Sequence, residues 1–366
     1  MTNNLISKLI SYSQEEDVKQ IVFDNKKNNS SCLLFKDNNL KAQFKLSQKM
    51  EEDLIKSFRF LSKTLENDIG SEKLIKIKYK SKIYNCHLRF LASDKDAKIT
   101  MTLSENKLNI RRLSSLGFDR NSLKIIKEKL NLKSGLILIA GQAMQGKTST
   151  YYSLLNATKK EEKSVYSLEK YPNQSIPFVS SLELDDKNTL KNYIDKINRI
   201  DADIIGIDSL DSKSEIKEAI KLALNGKLVI ASISALSSKT ALRACLNIGL
   251  KTSEVAKALK LIIAQHLLYK NCPYCIKLRE IDNNYVENIK KVVDRKFEIK
   301  KSASSKGCFK CNFTGHSLQF PSFELMSILP NANIVQYKPM IIDALEKANN
   351  GVFSPEQILK LIKKIS

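Results

Sequence analysis

The sequence predicts an α/β protein: a small sheet-and-helix domain, residues 1–105, followed by a doubly wound parallel-sheet domain with a phosphate loop and, beyond it, paired cysteines. Three observations lead there. Over the first hundred residues apolar and polar side chains alternate with period two. After residue 112 helical and strand patterns take turns, as crossover helices over a parallel sheet require. An eight-residue phosphate-loop motif stands where a buried apolar strand gives way to a helix.

In the first domain, strand-like runs occupy 20–23, 32–36 and 40–44, and the segments 74–79, 83–90 and 98–103 alternate as half-buried antiparallel strands do. Between these groups Leu54, Ile55, Phe58, Phe60, Leu61 and Leu65 fall at helical spacing, so one helix over 50–65 is expected to cover the sheet. Residues 104–112 are polar and charged and read as a linker. The second domain, 113–270, opens with a helix over 120–130 capped by Asp119. Strand 136–140, helix 147–157, strand 165–168, helix 189–200, strand 204–208, helix 214–224 and strand 228–232 follow. Beyond Ser238 the pattern reads as largely helical, broken by a cysteine-bearing segment, 271–320, and closed by a helical part, 321–366. The last helix has a defined start: Ser354 as N-cap, Pro355 in the first position and Gln357 completing a capping box.

With 42% hydrophobic and 27% charged residues the chain is neither disordered nor collagen-like, and 366 residues suffice for more than one core. No run reaches the 18 or so apolar residues of a membrane span, and residues 1–5 lack the basic and apolar regions of an export signal, so a cytoplasmic location is expected. The net charge of +22 comes mostly from lysines spread among Asn and Ile, which reads as a solvated surface. Neither a recognition module nor basic-aromatic interleaving accompanies it, so no specific nucleic-acid partner is expected.

Gly141-Gln142-Ala143-Met144-Gln145-Gly146-Lys147-Thr148 fits G-x-x-x-x-G-K-[ST] in a chain with only 11 glycines. The glycines let backbone N–H groups turn inward toward phosphate oxygens, and the helix that follows, with Ser149 in its first turn, presents its positive end. ATP is the expected ligand: Lys147 would bridge its β- and γ-phosphates and the Thr148 hydroxyl would hold Mg²⁺. An acid at the end of a nearby strand completes such a site, and the run from Ile204 to Ile207 ends in Asp208. A second pattern, Cys272-x-x-Cys275 and Cys308-x-x-Cys311, delivers four thiols in two turns, the ligand set of a structural Zn²⁺ site. The 32 residues between the pairs exceed the usual gap, so 284–299 is expected to form a helical insertion, with Gly307 and Gly315 permitting tight turns. Reduced free thiols or a redox pair are the other readings of the four cysteines. Cys32, Cys86 and Cys245 stand singly among apolar residues and read as core.

Phosphate loop, acidic strand and paired cysteines, in that order, resemble the secretion and pilus assembly ATPases of the type II secretion and type IV pilus superfamily, including the shorter competence-pseudopilus motors. The segment Leu132 to Leu155 looks like the family's phosphate-loop region, 201–227 aligns with its acidic strand region without a gap, and Ala264-Gln265-His266-Leu267 leads into the cysteines as its Ala-Gln-Arg-Leu does. The resemblance implies a PAS-like N-terminal domain over 1–105, a RecA-like core, and no counterpart of the family's additional N-terminal docking domain. It also implies a hexameric motor, peripheral to the inner face of the cytoplasmic membrane, working on an inner-membrane platform protein.

Departures from the family pattern fall in the chemistry. The family's catalytic Glu lands on Ser209, with Asp208 in place of a glycine; its His-box histidine lands on Ser234, and Lys227 replaces the histidine that opens that segment. Its acidic motif reads Leu168-Glu169-Lys170-Tyr171-Pro172-Asn173, in which only Glu169 remains, and Met144 replaces the loop's middle glycine. Arg89 remains of the arginines that reach a neighbouring nucleotide. The expectation is a nucleotide-binding subunit with Lys147, Asp208 and Glu169 as its catalytic candidates and with hydrolysis slow or altered. The alternatives are a non-hydrolysing structural or regulatory subunit of the same machine and a nucleic-acid translocase.

Overall fold

The computed structural model describes residues 4–15, 18, 20–25, 30–36, 39–50, 52–53, 56, 70–79, 82–92, 97–105, 110–158, 162–172, 174–184, 189–197, 201–279, 285, 287, 289, 302–329 and 334–365. The chain divides into two units, Met1–Leu108 and Asn109–Ser366.

In the first unit helix α1 (Asn4–Glu15) precedes six strands: β1 (Gln20–Asn25), β2 (Ser31–Lys36), β3 (Asn39–Lys45), β4 (Gly70–Tyr79), β5 (Lys82–Ala92) and β6 (Ala97–Glu105). They pair antiparallel throughout in the order β3-β2-β1-β6-β5-β4. Alternation sends Ile21, Phe23, Leu34, Cys86, Leu88, Ile99 and Met101 into one core, which Ile10 of α1 also enters. Helix α1 was not expected from the sequence. Of the helix expected over 50–65, Met50, Glu52, Asp53 and Lys56 are helical, and its six apolar positions lie outside the described residues.

The second unit runs through a short turn at Leu113–Ser115, α2 (Arg120–Leu130), β7 (Gly135–Ala140), α3 (Lys147–Thr158), β8 (Val165–Glu169), β9 (Val179–Glu183), α4 (Leu190–Ile197) and β10 (Ile204–Leu210). It continues with α5 (Lys213–Leu224), β11 (Leu228–Ile233), α6 (Ser238–Leu246), α7 (Thr252–Ala258), β12 (Leu259–Asn271), β13 (Ile276–Arg279) and β14 (Ser302–Ser305). It closes with β15 (His316–Ile328), β16 (Ile334–Lys338), α8 (Met340–Asn349) and α9 (Pro355–Ile365). Eight strands form one sheet, β16-β15-β12-β7-β11-β10-β8-β9, parallel from β12 to β9 and antiparallel at β15 and β16.

β7 is apolar along its whole length because it is buried on both faces. Leu136, Leu138 and Ala140 enter one core with Ala219, Ile220 and Ala223 of α5; Ile137 and Ile139 enter the other with Tyr151, Leu154 and Leu155 of α3. The caps follow the sequence: the Asp119 carboxylate accepts from Ser122 N at 2.9 Å, and α9 begins at Pro355 after Ser354. The Gln357 carboxamide oxygen takes a donor other than the expected capping box, Tyr269 N at 3.3 Å.

The region beyond Ser238 is not largely helical, which corrects the expectation. β12 and β15, each of 13 residues, pair antiparallel as the third and second strands from the β16 edge of the sheet, so residues expected in three separate pieces share one unit. The run from Leu259 to Leu268 is mostly apolar because its side chains enter both cores, Leu259, Ile262, Ala264 and Leu268 one and Leu261 and Ile263 the other, which leaves little alternation to mark a strand.

Candidate functional site

The turn between β7 and α3 is fixed from below. Gly141 N donates to Ile233 O of β11 at 3.3 Å, which ties the loop's first residue to the end of the adjacent strand. Gln265 of β12, 2% exposed, bridges the loop to its helix: its Nε2 donates to Gln145 O at 2.6 Å and its Oε1 accepts from Thr150 Oγ1 at 2.7 Å. Gln145 Oε1 returns the bond, accepting from Leu267 N at 2.7 Å. Sequence reasoning placed Gln265 only in the Ala-Gln-His-Leu stretch that leads into the cysteines; the further signal was a carboxamide inside a run apolar enough to be buried. Gln265→Ala removes two bonds and leaves the buried Thr150 hydroxyl without its acceptor, a loss of about 2 kcal/mol in loop order. Nucleotide affinity is expected to fall roughly tenfold, measured by titration with a fluorescent ATP analogue, with the far-ultraviolet circular dichroism unchanged.

Above this floor, Gln142, Ala143, Met144, Thr148 and Ser149 are exposed and Gln145, Gly146 and Lys147 half-buried, so the residues expected to bind phosphate line an open mouth. The first-turn N–H groups of α3 lack intrahelical acceptors by construction and sum to a positive end. Lys147 Nζ donates to Gly141 O at 2.8 Å and Gln142 O at 3.0 Å, carbonyls for which a phosphate oxygen would compete. Desolvation lowers its pKa, and the charges of Asp208 and Asp211 work against that shift. Met144 holds φ at +61°, the left-handed conformation in which a glycine costs nothing and a side chain costs about 1–2 kcal/mol. The loop keeps the glycine's shape without the glycine. Met144→Gly is therefore expected to stabilise the protein by about 1 kcal/mol in denaturant unfolding.

β10 delivers Asp208 through a bulge. Ile207 pairs with Ala231 and Leu210 with Ile233, so Asp208 and Ser209 together face the single residue Ser232, whose Oγ donates to Asp208 O. One extra residue re-aims the strand end, leaving both Asp208 and Ser209 half-buried. Burial first, and then the charge of Glu169, raise Asp208 to about 6, against the pull of Lys147. Ser209, which stands where the resembled family carries its catalytic Glu, donates to Asp211 Oδ1 at 2.5 Å, and Asp211 Oδ2 pairs with Lys170 Nζ at 2.7 Å. Desolvation acts to raise Asp211, but the bonds from Lys170 and Ser209 outweigh it and hold its pKa down. Asp211 and Lys170 are charged residues at this mouth that sequence reasoning did not place there. Ser234 is exposed just past β11.

Glu169 stands apart from the other two catalytic candidates. It is 1% exposed, and both carboxylate oxygens are engaged: Oε1 accepts from Ser167 Oγ at 2.5 Å and Ser181 Oγ at 2.9 Å, and Oε2 accepts from Tyr152 Oη of α3. It reaches the mouth through its field on Asp208. The structure brings Lys147 and Asp208 to one electrostatic cluster and sets Glu169 behind it, joined to the phosphate-loop helix.

The four paired cysteines converge at the end of β12. Their sulfurs lie within 4.8 Å of one another, with Cys272–Cys308 and Cys275–Cys311 at 3.9 Å and Cys308–Cys311 at 3.7 Å. Four sulfurs about 2.3 Å from a shared Zn²⁺ at tetrahedral angles would stand about 3.8 Å apart, so the donor set fits that ion. Gly307 (φ +103°) and Gly315 (φ +72°) shape the second turn; a Cβ on either would come within 2.5 Å of a backbone oxygen. The thiols of this set shift in opposite directions: desolvation acts to raise Cys311 but backbone N–H groups and neighbouring thiols bring it down to about 6, whereas desolvation and the neighbouring thiols push Cys275 up to about 11. Of the insertion expected over 284–299, Tyr285, Glu287 and Ile289 are helical, and the rest lies outside the described residues. Cys32, Cys86 and Cys245 are buried as expected, and desolvation pushes each thiol up to about 12.

Known proteins are similar to this chain. The type IV pilus assembly ATPase TfpB of Acinetobacter baylyi is 25% identical over 287 residues, 72% of this chain and 48% of its own length. The type II secretion system ATPase E of Vibrio cholerae is 20% identical over 338 residues, 87% of this chain and 67% of that one. The chain spans about half the length of TfpB and less of some other curated relatives. Among solved structures, the pilus retraction motor PilT with bound ADP superposes with a TM-score of 0.67 at 13% identity, covering 97% of this chain and 96% of PilT, which is a likeness of fold. Residues 1–349 match the family described as Type II/IV secretion system protein, and the chain belongs to that family.

Proposed function

We propose that the chain is an ATP-binding motor subunit of a type IV pilus or type II secretion-like assembly machine. The observation that carries this reading is the mouth itself: an intact phosphate loop whose Lys147 is electrostatically coupled to Asp208 at the end of a neighbouring strand. In this reading Lys147 leaves the Gly141 and Gln142 carbonyls for the phosphates, the loop's N–H groups cradle them, and Asp208 takes the proton of the attacking water. Bound Mg²⁺ would supply charge neutralisation at the β- and γ-phosphates, with Thr148 as its protein hydroxyl. Zn²⁺ on Cys272, Cys275, Cys308 and Cys311 would be structural. The N-terminal sheet domain takes the PAS-like part and the larger unit the RecA-like part of a homo-oligomer, most simply a hexamer. That oligomer would sit in the cytoplasm against the inner face of the membrane, on a platform protein there. No helix among the described residues is long and apolar enough to cross a membrane.

A second reading, a non-hydrolysing subunit of the same machine, is favoured by Ser209 and Ser234 standing where the family carries its acid and histidine. Titration with ATP and steady-state turnover on the purified oligomer separate the two. Lys147→Ala is expected to weaken ATP binding at least about 30-fold, the loss of a charge-assisted contact of about 2 kcal/mol. Turnover by the wild type that this variant abolishes supports the motor. Tight binding with turnover no higher than the variant's leaves the second reading, and absence of ATP binding overturns both.

A further inference from the structure

Besides Lys147, a second lysine stands at the nucleotide mouth. Lys170 is the first residue past β8, in the stretch where this chain departs from the family's acidic motif. β8 and β10 are neighbours in parallel register, Leu168 beside Ile207, so Lys170 and Asp211, the first residue past β10, both leave the sheet at its carboxyl end. The phosphate loop leaves β7 at the same end, which is where open α/β sheets receive ligands. The two members of the Lys170–Asp211 ion pair are held differently. Asp211 is fixed: its N–H donates at 2.6 Å to Glu215 Oε2, the carboxylate that completes the capping box of α5, and its Oδ1 accepts from Ser209 Oγ. Lys170 is anchored at its root, because the residue before it, Glu169, is locked by three hydroxyls and by Leu184 N, which donates to Glu169 O at 2.8 Å. From that root a flexible four-carbon stem carries the ammonium to Asp211 Oδ2, and the two side chains are 48% and 49% exposed.

An ion pair this exposed contributes little net attraction, because water solvates both charges and the long side chain gives up rotamers to make it. A phosphate oxygen offers the same ammonium a stronger charge-assisted bond. Exchange of carboxylate for phosphate is therefore favourable once a phosphate lies within the sweep of the stem. The electrostatics place the mouth within that range: Lys147 lies in the field of Asp211, and Asp208 lies in the field of Lys170. Position decides which phosphate is met. The loop and Lys147 approach a nucleotide from β7, whereas Lys170 approaches from β8, on the other side of β10 and its Asp208. With Asp208 facing the water that attacks the terminal phosphate, a cation beyond Asp208 meets that phosphate and not the inner two.

We propose that Lys170 is a second phosphate-binding lysine that selects for a triphosphate, exchanging Asp211 for the terminal phosphate of a bound nucleoside triphosphate and making no such exchange with a diphosphate. The proposal rests on the ATP-binding reading of the mouth and adds to it the group that tells ATP from ADP.

The test is calorimetric titration of the purified full-length chain, in the presence of Mg²⁺, with a non-hydrolysable ATP analogue and with ADP. Lys170→Gln is expected to weaken binding of the analogue about tenfold, the loss of one charge-assisted contact, and to leave ADP within about twofold. Lys147→Ala, by contrast, is expected to weaken both. The charge-balanced double variant Lys170→Gln, Asp211→Asn is expected to show the same selective loss as Lys170→Gln. Lys257→Gln removes an equal charge beside the amino end of β12, away from the mouth, and is expected to change neither affinity. An ADP affinity equal to that of the wild type also reports that each Lys170 variant is folded. Equal weakening toward both nucleotides, no weakening, or an equal loss in Lys257→Gln overturns the proposal. So does recovery of the analogue by the double variant, which would make the loss the repulsion of an uncompensated Asp211. A wild type that binds both nucleotides leaves the motor reading standing through any of these results, and a wild type that binds neither overturns both.

Discussion

Asp208→Asn is expected to lower ATP turnover about a hundredfold or more while raising the temperature of unfolding at neutral pH. The rate effect is that of removing a positioned base, which typically contributes a factor of 10² to 10⁴. The stability effect has the opposite sign because burial and Glu169 hold Asp208 at about 6 in the folded chain, above its ordinary 3.8. Folding therefore favours the protonated carboxyl. The stability this contributes is fully present below 3.8 and is lost as pH rises through about 6, so at pH 7.5 the folded protein carries an ionised group it would hold more cheaply neutral. A shift of about two units, discounted for partial exposure, is on the order of 2 kcal/mol, or several degrees of unfolding temperature for a unit of this size. Asn supplies a neutral side chain of the same shape. The pH profile gives the second readout: wild-type turnover is expected to climb through about pH 6 as Asp208 ionises, and the variant's residual rate to lack that limb. Unchanged turnover in Asp208→Asn would assign the water to another group and end the proposal that this bulged strand replaces the missing Glu.

The second large effect concerns the cysteines. Purified protein is expected to contain about one zinc per chain by elemental mass spectrometry, and Cys308→Ser to contain less than about a tenth of that. Losing a closed four-thiolate site removes several kcal/mol from the structure around it, and unfolding temperature should fall by about 10 °C. Chelation of the wild type should reproduce the shift, and re-addition of zinc should reverse it. A metal-free wild type that melts at the same temperature as the loaded protein would return the four thiols to the alternative readings.

What the sequence disclosed follows from how local each signal is. The phosphate loop was legible because a strand, two glycines, Lys147 and Thr148 fall within a dozen residues, and each has one physical use there. β10 was legible as an apolar run ending in an acid, and the core cysteines by their apolar neighbours. The bulge at Asp208 and Ser209 was not, because it exists only as a mismatch of register with β11. Nor was the seclusion of Glu169, whose hydroxyl partners Tyr152, Ser167 and Ser181 come from three different elements. β12 was misread for a related reason: burial on both faces removes most of the alternation by which a strand announces itself. Met144 shows the converse, a residue that looked like a loss of loop geometry and that in fact preserves it under strain.

β12 passes the phosphate loop at Gln265 and ends at Asn271, one residue before Cys272. Seven residues of extended chain cover about 23 Å, and from Gln265 to Tyr269 each is paired in register with β15. The clamp on the phosphate loop and the turn that begins at Cys272 are therefore mounted on one hydrogen-bonded strand, so the separation of the nucleotide mouth from the cysteine cluster is set by strand geometry and not by a loop.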